Sequence, residues 1–265
     1  MDDLERLEYV FDIQGYLVIP DVLTSDELAE LNRLMDAQNL PGPKKRIRFG
    51  EAAGGARKSG PGFLACGKPF CDLLDHERTM PILRMMLGDW FRLDRIYGIY
   101  MDEGMEAGRL HGGNTPYSPG EYYHVRDGKI VNGFTVVSWN LTDTGPNYGG
   151  FCCIPGSHKG NFRLPEQIHE ARDNDPCVIV PEAPAGSVVM FTEALTHGTA
   201  SWRGKHQRRT LLYKYCQSQV AYGNTRVKLP EGIELRERQK ILFREPAEPR
   251  KYFDSLFEEE PQVQT

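Results

Sequence analysis

From residue 90 onward the chain is a succession of short β-like runs with no long helix between them. The runs Arg95–Met101, Phe134–Leu141, Gly150–Ile154, Cys177–Val180, Ser187–Phe191 and Arg209–Gln217 alternate or are apolar throughout, and Gly, Pro, Asn or Asp bound them. Strands joined this way close into an antiparallel sandwich or barrel. Upstream, Tyr16–Ile19 reads as a strand between Gly15 and Pro20. Thr24 or Ser25 then caps a helix, with Glu27 in its first turn and Leu28, Leu31 and Leu34 at helical spacing. A further helical segment is expected from Pro69 to Leu87, and residues 258–265 read as a frayed, solvated tail. No internal repeat divides the chain, so residues 1–265 are expected to form a single domain.

Composition narrows the possible partners. With 40% hydrophobic and 26% charged residues the chain can bury a sizeable core. A net charge of -5 provides no global positive field for a nucleic-acid polymer. No apolar stretch approaches the ~18 residues of a membrane span. The start, MDDLERLEYVF, lacks the basic segment of a secretory signal, so the cytoplasm is the expected compartment. The six cysteines fit it: none forms a C-x2-C pair, and ordinary reduced thiols are expected. What remains is a small-molecule partner.

One stretch opposes the acidic whole. Residues 41–62 are rich in Gly and Pro and carry Lys44, Lys45, Arg46, Arg48, Arg57 and Lys58. They read either as a solvated charged loop or as a lid over an anionic substrate. Of the seven histidines, His111 in RLHGGN and His197 in VVMFTEALTHGTA stand beside strand-like runs. Each alone also fits a structural role. His197, however, is followed by Arg208-Arg209 at the head of the apolar strand TLLYKY. A His at one strand's end and an Arg on the next can hold a metal and the far carboxylate of a bound diacid.

From Phe11 to Gln217 the chain resembles the phytanoyl-CoA dioxygenase-like iron(II)/2-oxoglutarate-dependent enzymes. The resemblance rests on FDIQGYLVIPDVLTSDELAEL, on VVSWNLTDTGPNYGGFCCIPGSHKGNF and on THGTASWRGKHQRRTLLYKY with its His-x10-Arg spacing. It implies a mostly β fold with flanking helices, the double-stranded β-helix or cupin-like jelly roll. It also implies Fe(II), 2-oxoglutarate and O2 as reaction partners. In that family iron is usually held by His-x-Asp/Glu plus a distal His. The match makes His111 and His197 the metal ligands and Arg208 the 2-oxoglutarate residue. Arg209 is the alternative if the strand register shifts by one residue. Thr199, Trp139 and Asn114 fall at positions that can border the co-substrate.

The chain departs from the family at one point. Gly113 stands where the carboxylate is expected. The family's halogenases resemble this sequence in having His-x-Gly, which implies chloride in the vacated position and a chlorinating enzyme of secondary metabolism. In a second reading water or another carboxylate (Asp102, Glu103, Glu121 or Asp127) completes the site, and the enzyme hydroxylates. In a third the protein is a non-catalytic ligand binder. Halogenation is the expectation carried forward. Arg46, Arg48 and Arg57, with Tyr117, Tyr122 and Tyr123, are candidate contacts for a nucleotide or other anionic substrate.

Overall fold

The computed structural model describes residues 3–38, 61–113, 118–222 and 226–257, together with the backbone of 47–49. Helix α1 (Leu4–Gln14) precedes β1 (Tyr16–Ile19), and α2 (Ser25–Asp36) follows it. Thr24 caps α2 in a reciprocal box with Glu27, as the sequence predicts. Next come β2 (Ile47–Phe49), α3 (Lys68–Asp72), α4 (Met80–Leu87) and β3 (Phe91–Met101). The hairpin β4 (Tyr123–Arg126) and β5 (Lys129–Asn132) leads to β6 (Phe134–Asn140) and β7 (Gly150–Cys153). Helix α5 (Glu166–Ala171), β8 (Val188–Thr192), β9 (His197–Ala200), β10 (Arg208–Gln217), α6 (Glu237–Ile241) and α7 (Pro249–Tyr252) complete the order.

The strands form a cupin-like jelly roll. Its major sheet runs β1-β8-β6-β10-β3-β2, antiparallel throughout. The minor sheet is built on the pair β7-β9. Single bridges extend it on either side, from His197 to His111 and from Cys153 to Ile179. The expected strand at Cys177–Val180 is therefore one bridge at Ile179.

Period-two alternation gives the major sheet two apolar faces. Leu211, Tyr213 and Tyr215 of β10, with Trp139 of β6 and Val188 and Met190 of β8, face the helices. Tyr213 and Tyr215 donate their hydroxyls to the carbonyls of Phe70 and Leu74, which fixes the helical layer on the sheet. Leu212, Val136, Val189, Phe191, Tyr97 and Ile99 face the interior between the sheets. The helical stretch expected over 69–87 is interrupted: α3, a 3-10 turn at Leu73–Asp75 and α4 share it.

Part of the expected 41–62 loop is β2, hydrogen-bonded along β3. Arg48 lies on it, whereas Arg46 and Arg57 lie outside the described residues, as does the 258–265 tail. No helix among the described residues is long and apolar enough to cross a membrane.

His158, in the PGSHK turn, ties α1 to the barrel. It is 7% exposed and donates from Nε2 to the Asp12 carbonyl at 3.0 Å. Its Nδ1 has no hydrogen-bond partner among the described residues, and Gly15, in the left-handed conformation at the end of α1, leaves the ring its room. A Cβ on Gly15 would come within 2.6 Å of that nitrogen. Burial pushes the His158 pKa from 6.5 down to about 4, against the opposing pull of the Asp12 carbonyl. The unfolded chain therefore binds a proton that the native state refuses between those values. Stability is complete above pH 6.5 and falls as pH drops toward 4. The expected loss is up to about 3 kcal/mol. Urea-unfolding midpoints measured across that range should decline more steeply for wild type than for His158→Gln, which keeps a side-chain N–H donor but cannot titrate.

Candidate metal centre

The histidines expected as ligands meet across the edge of β9. His111 and His197 exchange backbone hydrogen bonds, N–H to carbonyl, at 2.9 and 2.8 Å. Their ring centroids lie 4.3 Å apart. The His197 Nδ1 sits 2.7 Å from the Leu195 carbonyl, and the His111 Nδ1 sits 3.1 Å from the Arg109 carbonyl. A carbonyl only accepts, so each Nδ1 carries a hydrogen, and in the neutral ring Nε2 is the nitrogen that can bind a metal. This is how a protein orients imidazoles for a metal.

The third donor is Glu193. Ligand atoms of His111, Glu193 and His197 all lie within 4.8 Å of one another. Glu193 Oε1 is 3.9 Å from His197 Nε2 and 2.6 Å from Lys214 Nζ. Glu193 follows β8 on its interior-facing side, and Lys214 shares the interior face of β10 with Leu212. Burial alone would raise the Glu193 carboxyl, but Lys214 above all holds it down, at about 2. The His197 imidazole is driven down to about 3, first by burial and then by His111, so it stays neutral. Two imidazoles and one carboxylate form a donor set suited to Fe(II).

The turn between Glu193 and His197 is held in place by a polar network. Thr192 Oγ1 donates to Asn132 Oδ1 at 2.7 Å, and Asn132 donates to Thr135 Oγ1 at 2.6 Å. Thr192 Oγ1 also accepts from the Ala194 N–H, and Ser157 Oγ accepts from the Thr196 N–H. Phe191 packs on the His197 ring at 4.7 Å, and Phe151 lies stacked 6.2 Å away.

The backbone around Gly113, expected to border an open ligand position, is closely packed. Gly113 and Gly112 adopt φ of 60° and 89° and pack against the 193–197 backbone. A Cβ on Gly113 would lie 2.9 Å from the Ala194 carbonyl and 3.3 Å from Thr196 Oγ1; one on Gly112 would lie 2.4 Å from the Leu195 carbonyl. A side chain at Gly113 would therefore have to displace this backbone before it could reach the cluster. None of Asp102, Glu103, Glu121 and Asp127 belongs to the donor cluster.

Other candidates separate by face. Arg208 is 2% exposed, with Nε 3.3 Å from Thr210 Oγ1 and Nη1 3.5 Å from Met101 Sδ in the interior cluster. Arg209 points the opposite way, to Asp36 at 2.6 Å and Asn32 at 3.1 Å on α2. Thr199 shares the His197 face of β9 and is buried. Trp139 packs in the helix-side core, edge-on to His76 at 5.3 Å, and so is not against the barrel interior. Tyr123 gives its hydroxyl to Asp12 at 2.7 Å and packs on His158, a structural tie instead of a substrate contact. Asn114 and Tyr117 lie outside the described residues.

Residues 11–210 match the profile of the phytanoyl-CoA dioxygenase (PhyH) family. The chain belongs to the phytanoyl-CoA dioxygenase family. With that goes membership of the iron- and 2-oxoglutarate-dependent oxygenases. The chain is similar to an ectoine dioxygenase of Stutzerimonas stutzeri (strain A1501), 28% identical over 230 residues covering 77% of this chain and 74% of the relative. Its fold is similar to HygX of Streptomyces hygroscopicus, solved with nickel and 2-oxoglutarate bound. The TM-score is 0.70 at 24% identity, covering 86% of this chain and 97% of HygX. It is also similar to the epimerase SnoN from nogalamycin biosynthesis, with a TM-score of 0.60 at 20% identity over 96% and 98% of the two chains.

The filled space at Gly113 yields a direct expectation for this member of the phytanoyl-CoA dioxygenase family. Gly113→Asp restores the usual His-x-Asp pattern in sequence yet should lower both stability and iron retention. Gly113→Ala should already show most of the stability loss, about 1–3 kcal/mol. Thermal denaturation and an anaerobic iron titration of the two variants check this; a Gly113→Asp protein that binds iron more tightly than wild type would refute it.

Proposed function

We propose that the protein is an Fe(II)/2-oxoglutarate-dependent hydroxylase of a small polar metabolite. The observation that carries the reading is the cluster of His111, Glu193 and His197, whose three donors converge on one point. Iron bound there supplies, together with 2-oxoglutarate and O2, the oxidising power for one C–H bond of the substrate as 2-oxoglutarate is converted to succinate and CO2.

The chain's own residues do the rest. The Leu195 and Arg109 carbonyls fix both imidazoles by their Nδ1–H groups. Lys214 keeps Glu193 ionised and aimed. The buried Arg208 guanidinium offers a planar fork to the far carboxylate of 2-oxoglutarate, with Thr199 on the His197 side of β9. Phe151 and Phe191 exclude water from one side of His197.

Hydroxylation is favoured over chlorination because a protein carboxylate, Glu193, lies with both histidines in one donor group. Chloride then has no vacated ligand position to take. The similarity to an ectoine dioxygenase supports the same choice, and a small polar substrate accords with it. The intact donor set disfavours a purely ligand-binding role.

Iron-loaded protein should release succinate from 2-oxoglutarate, and substrate should gain one oxygen atom and no chlorine even in chloride buffer. Glu193→Ala should lose iron affinity by at least about 100-fold, and Lys214→Met by about 10–100-fold. Arg208→Gln should raise the 2-oxoglutarate KM by about 100-fold with little change in iron binding. A chlorinated product, chloride-tightened 2-oxoglutarate binding, or undiminished iron binding by Glu193→Ala would overturn the reading.

A further inference from the structure

Beside the donor cluster lies a cavity of about 170 Å³, into which His111, Glu193 and Lys214 all face. That is small against the 300–1,000 Å³ or so of drug-sized sites. Several charges line it, and most are answered within the protein. Lys214 pairs with Glu193. Asp94 pairs with the buried Arg92 at 3.2 Å and also accepts the Tyr222 N–H. Two are left over. Glu121, in the loop before β4, has a side chain that makes no hydrogen bond or ion pair among the described residues. Arg95, on β3, lies over the Tyr222 ring with its Cζ 5.0 Å from the centroid and has no carboxylate partner among those residues. The two do not pair with each other.

Leaving charges of both signs unanswered in a half-closed cavity is unfavourable. Burial, and then the nearby Glu193, push the Glu121 carboxyl up to about 7 although Lys214 pulls it the other way, so a ligand cation placed against it would favour its charged form. Arg95 presents the fork geometry that matches a carboxylate. Between them the wall is aromatic: Phe134 and Tyr222 meet edge to face at 5.5 Å, with Tyr97 alongside.

We infer that this cavity selects a small zwitterion, its ammonium or amidinium group held by Glu121 and its carboxylate by Arg95. A neutral substrate would bury both charges without partners, and a singly charged one would leave either Glu121 or Arg95 unanswered. The inference rests on the proposed hydroxylase reading, because it takes the cavity at the metal donors as the substrate site. It makes Glu121 and Arg95 specificity residues and gives neither a part in the chemistry.

L-Proline, pyrrolidine and cyclopentanecarboxylate test it, since they share a five-membered ring and differ in charge. Calorimetric titration of the metal-free, full-length protein should find L-proline binding about tenfold or more tighter than either singly charged analogue. Glu121→Gln should erase its advantage over cyclopentanecarboxylate, and Arg95→Gln its advantage over pyrrolidine, with Glu121→Asp keeping part of the first. A misfolded variant would lose all three probes alike, so the charge-selective pattern separates recognition from structure. Equal affinity for the three probes, no binding of any, or an unchanged preference in Glu121→Gln would overturn the inference. Succinate release by the wild-type iron-loaded protein in the absence of probe reports on the donor cluster separately. Its failure would sink the hydroxylase reading and leave the measured charge preference standing.

Discussion

The reciprocal backbone hydrogen bonds between His111 and His197 are the contact on which the site depends. They dock the segment around His111 onto the edge of β9. That docking brings the two imidazoles within 4.3 Å of each other, centroid to centroid. Backbones so close leave no room for side chains next to the first histidine. Gly112 and Gly113 thus follow from the docking, with positive φ and with the 193–195 carbonyls where a Cβ would sit. The carboxylate that the family usually carries two residues after the first histidine has no space there. In this chain the acidic donor reaches the cluster from the other side of the same contact, four residues before His197.

Burying that donor creates a second requirement. Glu193 is 6% exposed, and an isolated buried carboxylate would take up a proton. Lys214, 8% exposed, prevents it through a 2.6 Å contact. The two residues come from strands that both neighbour β6 in the major sheet, so the ion pair spans the central strand. The strand pairing that makes the barrel therefore also sets the charge state of the metal-facing carboxylate.

Much of this was legible in the sequence, and the exceptions have physical causes. The cap at Thr24 and the strands β1, β3, β6, β7, β8 and β10 follow from patterning, whereas His111, His197 and Arg208 stand out through the family resemblance, with Arg209 left as the alternative to Arg208. Patterning also marks Glu193 and Lys214, each a lone charge beside or within an apolar strand (VVMFTE and TLLYKYC). Spacing along the chain points to a carboxylate next to His111, whereas their meeting with the histidines is set by strand topology, which local spacing does not carry. Gly113 read as room because a sequence does not show what lies against a glycine. Trp139 was placed at the co-substrate although a strand tryptophan has two faces to choose from, and here it packs with the helices. The β4-β5 hairpin escaped because its β4 residues are mostly exposed and lack an apolar rhythm.

The cysteines of β7 illustrate what a tightly paired minor sheet does for a protein of this family. Cys153 pairs across the ladder with His197 itself, and Cys152 with Gly198. Both thiols are buried, and burial raises their pKa, to about 12 for Cys152 and higher for Cys153. They persist as protonated thiols and never as the nucleophilic anion that peroxides attack. Sulfur thus stands one strand away from the candidate metal ligands yet shut off from solvent, so an oxidant arriving from outside meets the exposed Cys177 first.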